Sequence, residues 1–169
     1  MSLVAETGRL QLRRFDPEGD AAFVLQLVNE PAWLQFIGDK GVRTLDQARA
    51  YLRDGPLAMY ARCGHGLYRV DLKSTGESVG MCGLIKRDTL PDVDIGYAFL
   101  PAYWGCGYAE EAARATLAHA QELGLLRILA IVTPGNERSI RLLEKLGLRH
   151  ERDIATPQDD TTALYAVDF

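Results

Sequence analysis

The stretch from Pro101 to Val132 constrains this chain more than any other part of it. It opens with Pro101-Ala102-Tyr103-Trp104-Gly105-Cys106-Gly107-Tyr108-Ala109-Glu110. From there Ala109, Ala112, Ala113, Thr116, Leu117, Ala120 and Leu123 fall at relative positions 0, 3, 4, 7, 8, 11 and 14, which is one face of a helix over 107–123. Glu110, Glu111, Arg114, Gln121 and Glu122 fall on the other face. A buried face made mostly of alanine lets the helix lie close to its sheet. Strand-like runs flank it, 92–100 before and Arg127–Val132 after. Strand, helix and strand in that order imply one right-handed crossover and a locally parallel pair.

The rest of the chain supplies the remaining elements. Alternation over Arg9–Phe15 reads as a first strand. Asp16-Pro17 suits a helix cap followed by proline at the first helical position. That helix is expected to stop at Pro31, and 33–42 reads as loop. Thr44 caps a second short helix, expected to end at Gly55-Pro56. Leu67–Leu72 and Ser78–Ile85 alternate about a Lys73–Glu77 turn and predict an antiparallel hairpin. A helix over 136–146, ended by Gly147, and strands over 148–154 and 163–169 complete the order. The expectation is one domain over residues 1–169, of mixed α+β or α/β class.

Net charge is −4, so no global basic field favours nucleic acid. An anionic ligand would need a local device, and the Trp104–Glu110 turn has the right chemistry. Its glycines let backbone N–H groups converge without a Cβ in the way. The following helix start adds unsatisfied donors and a positive dipole end. A plain strand-to-helix turn remains the alternative. A dinucleotide fingerprint fails because Glu110 stands where a third small residue is needed. A phosphate loop of the Gly-Lys-Ser/Thr type is absent.

Three widely spaced cysteines (Cys63, Cys82, Cys106) and scattered histidines fit neither a disulfide framework nor a metal site, and no metal is expected. Reduced thiols point to the cytoplasm. Met1–Arg14 lacks the apolar run of a signal peptide, and no apolar window is long enough to span a membrane.

The segments "VDIGYAFLPAYWGCGYAEEA" and "NERSIRLLEKLGL", in this order with a helix and a strand between them, resemble the GNAT (Gcn5-related N-acetyltransferase) superfamily. More narrowly they resemble its ribosomal-protein N-acetyltransferase-like branch, as do the opening 9–39 and "TLDQARAYL". The resemblance implies a mixed, mostly antiparallel sheet with a splayed parallel pair and about four flanking helices. It also implies transfer of an acetyl group from acetyl-CoA to a primary amine in a ternary complex. The acceptor implied first is a protein N-terminal α-amine, with a polyamine, amino acid or other small amine behind it. The oligomeric state is open, a homodimer being the commonest closed assembly, and an acyl-CoA-binding module without turnover is the alternative function.

Residue by residue, the resemblance assigns the pantetheine arm to free backbone groups at Phe99 and Leu100. The pyrophosphate falls to the N–H groups of the Trp104, Gly105, Cys106, Gly107, Tyr108 and Ala109 turn, and Asn136 and Ser139 face the cofactor. Leu100 N–H is the expected oxyanion donor. Leu143 stands where many relatives carry a tyrosine acid, so Ser139, or water held by it, becomes the candidate acid. Asn136 reads equally as a helix cap and Ser139 as a back-bonded helix serine. Asp94 is the candidate base, with an outward-facing strand residue as its alternative. Trp33 and Phe36, with Ile37 and Asp39 beside them, are expected at the acceptor wall together with Tyr97, or else in the core.

Overall fold

The computed structural model describes residues 2–155 and 161–169. Met1, part of the stretch judged for a signal peptide, lies outside them. Eight strands form one sheet in the order β1-β2-β3-β4-β5-β6-β8-β7. They are β1 (Leu3–Glu6), β2 (Leu10–Arg13), β3 (Leu67–Leu72), β4 (Ser78–Ile85), β5 (Asp94–Phe99), β6 (Arg127–Val132), β7 (Arg149–Ile154) and β8 (Thr162–Asp168). Every pairing is antiparallel except β5 with β6. The mixed class, the hairpin and the parallel pair therefore stand as expected.

The helices differ from expectation at two prolines. Asp16 caps α1 (Pro17–Leu27), accepting from the N–H groups of Glu18 and Gly19. Pro31 does not stop a helix but opens one, α2 (Pro31–Phe36), at the first-turn position where its missing N–H costs nothing. Trp33 and Phe36 are thus helical rather than in a loop. Thr44 caps α3 (Leu45–Leu52) as expected. Pro56 does not end that run either. A π turn over Arg53–Leu57 takes up the proline and carries the chain straight into α4 (Ala58–Cys63). With α5 (Tyr108–Glu122) and α6 (Glu137–Lys145), the described residues form six α-helices, α3 and α4 being continuous, besides a single 3-10 turn at Pro101–Tyr103, where about four helices were expected. The strand β1 was also missed. It is an edge strand of four residues with only partial burial and hence little periodic signal.

Two apolar layers sandwich the sheet. On one side Ala112, Ala113, Leu117 and Ala120 of α5 pack with Ile95 and Phe99 of β5, and Leu143 of α6 joins them. On the other, Val24 and Leu27 of α1 and Ala48 and Leu52 of α3 pack with Met81 and Leu100, with Trp33 of α2 in the same cluster. At Gly83 of β4 an added Cβ would lie 2.1 Å from the carbonyl oxygen of Gly66, so the fold itself requires glycine there. None of the described helices is long and apolar enough to cross a membrane.

Candidate active site

The strands β5 and β6 pair at a single register point, Asp94 opposite Leu129, where Leu129 N–H donates to Val93 O at 2.9 Å. Beyond it no residue of β5 has a partner in β6. Leu100 N–H donates to Val79 O on the β4 side, at 2.9 Å. Peptide groups alternate in direction along a strand, so those of Tyr97 and Phe99 face the opening gap while those of Gly96, Ala98 and Leu100 face β4. This corrects the expectation for Leu100. Its N–H is consumed by the sheet and is not a free donor. The Phe99 carbonyl faces the gap but is not free, accepting the indole N–H of Trp104 at 2.8 Å. Arg138 of α6 lies over that indole, 4.1 Å from the ring centroid. Trp104 thereby bridges the mouth of the gap.

The glycine turn lies at the carboxyl end of β5. Gly105 and Gly107 have φ of +79° and +82°, the left-handed region where only glycine is unstrained. Gly107 is the N-cap residue of α5, and no side chain caps that end, whereas Asp16, Thr44 and Asn136 cap α1, α3 and α6. The first N–H groups of α5 are left for an anion. Glu110 and Glu111, which would repel one, are drawn away. Arg114 holds Glu110 at 3.0 Å, and Arg9 holds Glu111 at 2.8 Å. Arg9 also donates to Cys106 O at 2.9 Å and lies over the Tyr108 ring, tying the turn to the start of β2. The Cys106 side chain itself is exposed. An unpaired strand edge beside an uncapped helix start is a cradle for a ligand with an amide-bearing arm and phosphates, and these residues fit a coenzyme A thioester.

Side chains on β5 alternate between the two layers, and this separates the candidate acid from the candidate base. Tyr97 points to the α5–α6 side. Its hydroxyl meets Ser139 Oγ at 2.7 Å, and burial pushes its phenol up to about 12. Ser139 is half-buried near the start of α6, and Asn136 Oδ1 accepts its N–H at 3.4 Å. Asn136 therefore has the cap role weighed for it. The Ser139 hydroxyl bonds Tyr97 across 42 residues rather than its own helix. Leu143 is buried in the core and offers no hydroxyl.

Asp94 points to the α1–α3 side. It is not the outward-facing residue weighed above, because its side chain is 1% exposed. Its Oδ1 accepts from Arg87 Nε at 3.0 Å, and its buried Oδ2 has no partner. Burial outweighs Arg87 and raises the carboxyl from 3.8 to about 6. On the same side Trp33 is buried with an unpartnered indole N–H. Phe36 O accepts from Thr133 Oγ1 at 3.2 Å, which ties the end of α2 to the loop leaving β6. Ile37 is exposed, and Asp39 is occupied by Arg43. Tyr97 does not join this wall. The structure turns it to the opposite layer, onto Ser139. Arg9, Arg87 and Arg138 were not singled out from the sequence, since each meets its partner only through the sheet and helix packing.

A mixed sheet with one splayed parallel pair, a glycine turn at its open end and titratable groups on either side of the gap make this the candidate acyl-transfer site. The Acetyltransferase (GNAT) domain family matches residues 9–149. The chain is 44% identical over 146 residues to an uncharacterized N-acetyltransferase, YnaD, of Bacillus subtilis strain 168, covering 86% of this chain and 82% of that protein. An acetyltransferase structure from Agrobacterium tumefaciens strain C58 superimposes with a TM-score of 0.83 at 26% identity, over 100% of this chain and 95% of that one. The RimL ribosomal L7/L12 α-N-protein acetyltransferase in complex with coenzyme A shares the fold, with a TM-score of 0.84 at 18% identity over 99% and 98% of the two chains. The protein belongs to the GNAT acetyltransferase family and is an N-acetyltransferase.

Proposed function

We propose that the protein transfers an acetyl group from acetyl-CoA to a primary amine by direct attack within the β5–β6 gap. The observation that carries this reading is the splay itself. One register pair joins the strands, and the gap-facing peptide groups beyond it meet an uncapped, glycine-lined helix start.

When bound, acetyl-CoA supplies the thioester. The chain supplies orientation and two proton positions. The gap-facing N–H groups of Tyr97 and Phe99 replace Leu100 as donors to the oxygen that gathers charge during attack. Asp94 Oδ2, ionised above about pH 6, takes a proton from the attacking nitrogen. On the other side Ser139 Oγ–H protonates the departing sulfur. Each hydroxyl has one proton, so with Ser139 donating into the gap, Tyr97 donates to Ser139 Oγ and holds it in that orientation. A nitrogen–carbon bond forms, a carbon–sulfur bond breaks, nitrogen loses one proton and sulfur gains one. Half-buried Phe36 is placed at the acceptor wall, with Trp33 packed in the core behind it. The α-amine of a polypeptide and small amines are both acceptors of this chemistry.

The test is release of free thiol from acetyl-CoA against a panel of amines, read for Ser139→Ala beside the native protein. Ser139→Ala should slow turnover by about 10²-fold or more while CoA affinity stays within a few-fold. Unchanged turnover would overturn the acid assignment. No thiol release with any amine would overturn the transferase reading in favour of a binding module.

A further inference from the structure

Two carboxylates, Glu110 and Glu111, stand in the first turn of α5, beside N–H groups that no side chain caps. The helix dipole draws a carboxylate to those donors, and left free it would compete with an anionic ligand for them. Arg114 restrains Glu110 from the next turn of the same helix, at 3.0 Å. Glu111 is restrained from 102 residues away. Arg9, in the turn between β1 and β2, donates to Glu111 Oε1 from Nε and from Nη2, each at 2.8 Å. Its backbone N–H donates to Glu111 Oε2 at 3.0 Å, and the Thr7 hydroxyl donates to the same oxygen. Both carboxylate oxygens are thus occupied from the β1–β2 turn. Burial pulls the Glu111 carboxyl upward, but the bonds from Thr7 and Arg9 outweigh it and hold it below the ordinary value. Glu111 is therefore charged at neutral pH, and among the described residues Arg9 is the only cation paired with it.

The turn that carries Arg9 is itself fixed. Leu10 N–H donates to Thr7 Oγ1 at 3.0 Å, while Lys73 donates to Thr7 O from Nζ at 3.1 Å and to Arg9 O from its backbone at 2.9 Å. The Arg9 guanidinium also takes the Cys106 carbonyl through Nη1 at 2.9 Å and lies over Tyr108, 4.6 Å from the ring centroid. The Cys106–Gly107 peptide is trans, so turning its C=O toward Arg9 turns Gly107 N–H the other way. A half-exposed ion pair adds little to stability. This one sets the charge and the direction of the groups at the start of α5.

We propose that Arg9 is a positioning residue of the cofactor site: by taking up Glu111 and the Cys106 carbonyl it leaves the N–H groups that begin α5 to the diphosphate of coenzyme A. The inference rests on the reading of that turn as the cofactor cradle. Arg9 acts on the ligand chiefly through Glu111. One uncancelled charge beside a doubly charged diphosphate changes affinity by about 10-fold or more.

The test compares the native protein, Arg9→Ala and the double variant Arg9→Ala/Glu111→Gln, by calorimetric titration with CoA and by the kinetics of acetyl-CoA. Arg9→Ala should raise Kd for CoA and KM for acetyl-CoA by about 10-fold or more, with kcat at saturation within a few-fold of native. The double variant should recover most of the loss, because the carboxylate that Arg9 restrains is gone. A merely structural tie would not be restored by removing its other end. If Arg9→Ala does not fold, Arg9→Gln takes its place, keeping a side-chain donor without the charge. A loss that Glu111→Gln fails to recover overturns the inference and shows Arg9 acting on the ligand directly or on the fold. Unchanged Kd in Arg9→Ala, whatever happens to kcat, overturns it as well. Native protein that binds no CoA overturns the cradle reading itself.

Discussion

Replacing Asp94 by Asn separates the two consequences of its burial. The carboxyl is raised from 3.8 to about 6, chiefly by desolvation and against the pull of Arg87. A group raised on folding keeps its proton in the folded state after the unfolded chain has lost it. Stability is therefore greatest below about pH 4 and declines as pH rises through about 6. At about 1.4 kcal/mol per pH unit, the ionised carboxylate costs roughly 3 kcal/mol at pH 7. The variant Asp94→Asn removes this cost but leaves Arg87 with a weaker partner, so the gain at pH 7 is at most about 3 kcal/mol. Urea unfolding of both proteins at pH 4 and pH 7 measures it. The stability difference should move in favour of Asn between those values. Turnover should move the other way. The acid limb near pH 6 in the native pH–rate profile should vanish, with kcat at pH 7 lower by about 10²-fold or more. A stability difference that shifts toward Asp as pH rises would mean that Arg87 outweighs burial, and the argument would fail. A variant that keeps the native acid limb would remove Asp94 from the reaction.

Two more outcomes follow from the turn and its tryptophan. Trp104 and Trp33 are the two tryptophans of the chain, and Trp104 caps a gap-facing carbonyl, so CoA should change the fluorescence of the native protein. In Trp104→Phe the remaining signal from buried Trp33 should not respond, and an identical response would place the change elsewhere. Gly107→Ala puts a Cβ on a residue at φ +82° and 3.3 Å from Arg9 Nη2. It should lower unfolding free energy by about 1–2 kcal/mol, read by urea denaturation, and full native stability would show that the turn does not need the left-handed conformation.

The legible parts of the sequence were those whose cause is local. β3, β4 and β6 begin and end where alternation and apolar runs put them, and Gly147 ends α6 with a left-handed φ of +95°. The glycine turn was legible for the same reason, since Gly105 and Gly107 need their φ values whatever lies far off. Pro31 and Pro56 misled because a proline has two helical uses besides stopping a helix: it can open the first turn, or a π turn can take it up. Alternation along 92–100 sets which side chains share a face, but not which peptide groups bond β4 and which face the gap. That phase depends on the register with β4, so Leu100 was assigned a free N–H that the sheet consumes. On the proposed mechanism, the same register lets one short strand serve both halves of the reaction. Asp94 and Tyr97 stand three residues apart, an odd step, so they emerge on opposite faces of β5. One enters the layer of α1–α3, where its carboxylate oxygen Oδ2 has no partner, and the other meets Ser139 beside the glycine turn. Inserting or deleting a single residue between them would put both on one face, and neither partner alone could restore the division of labour.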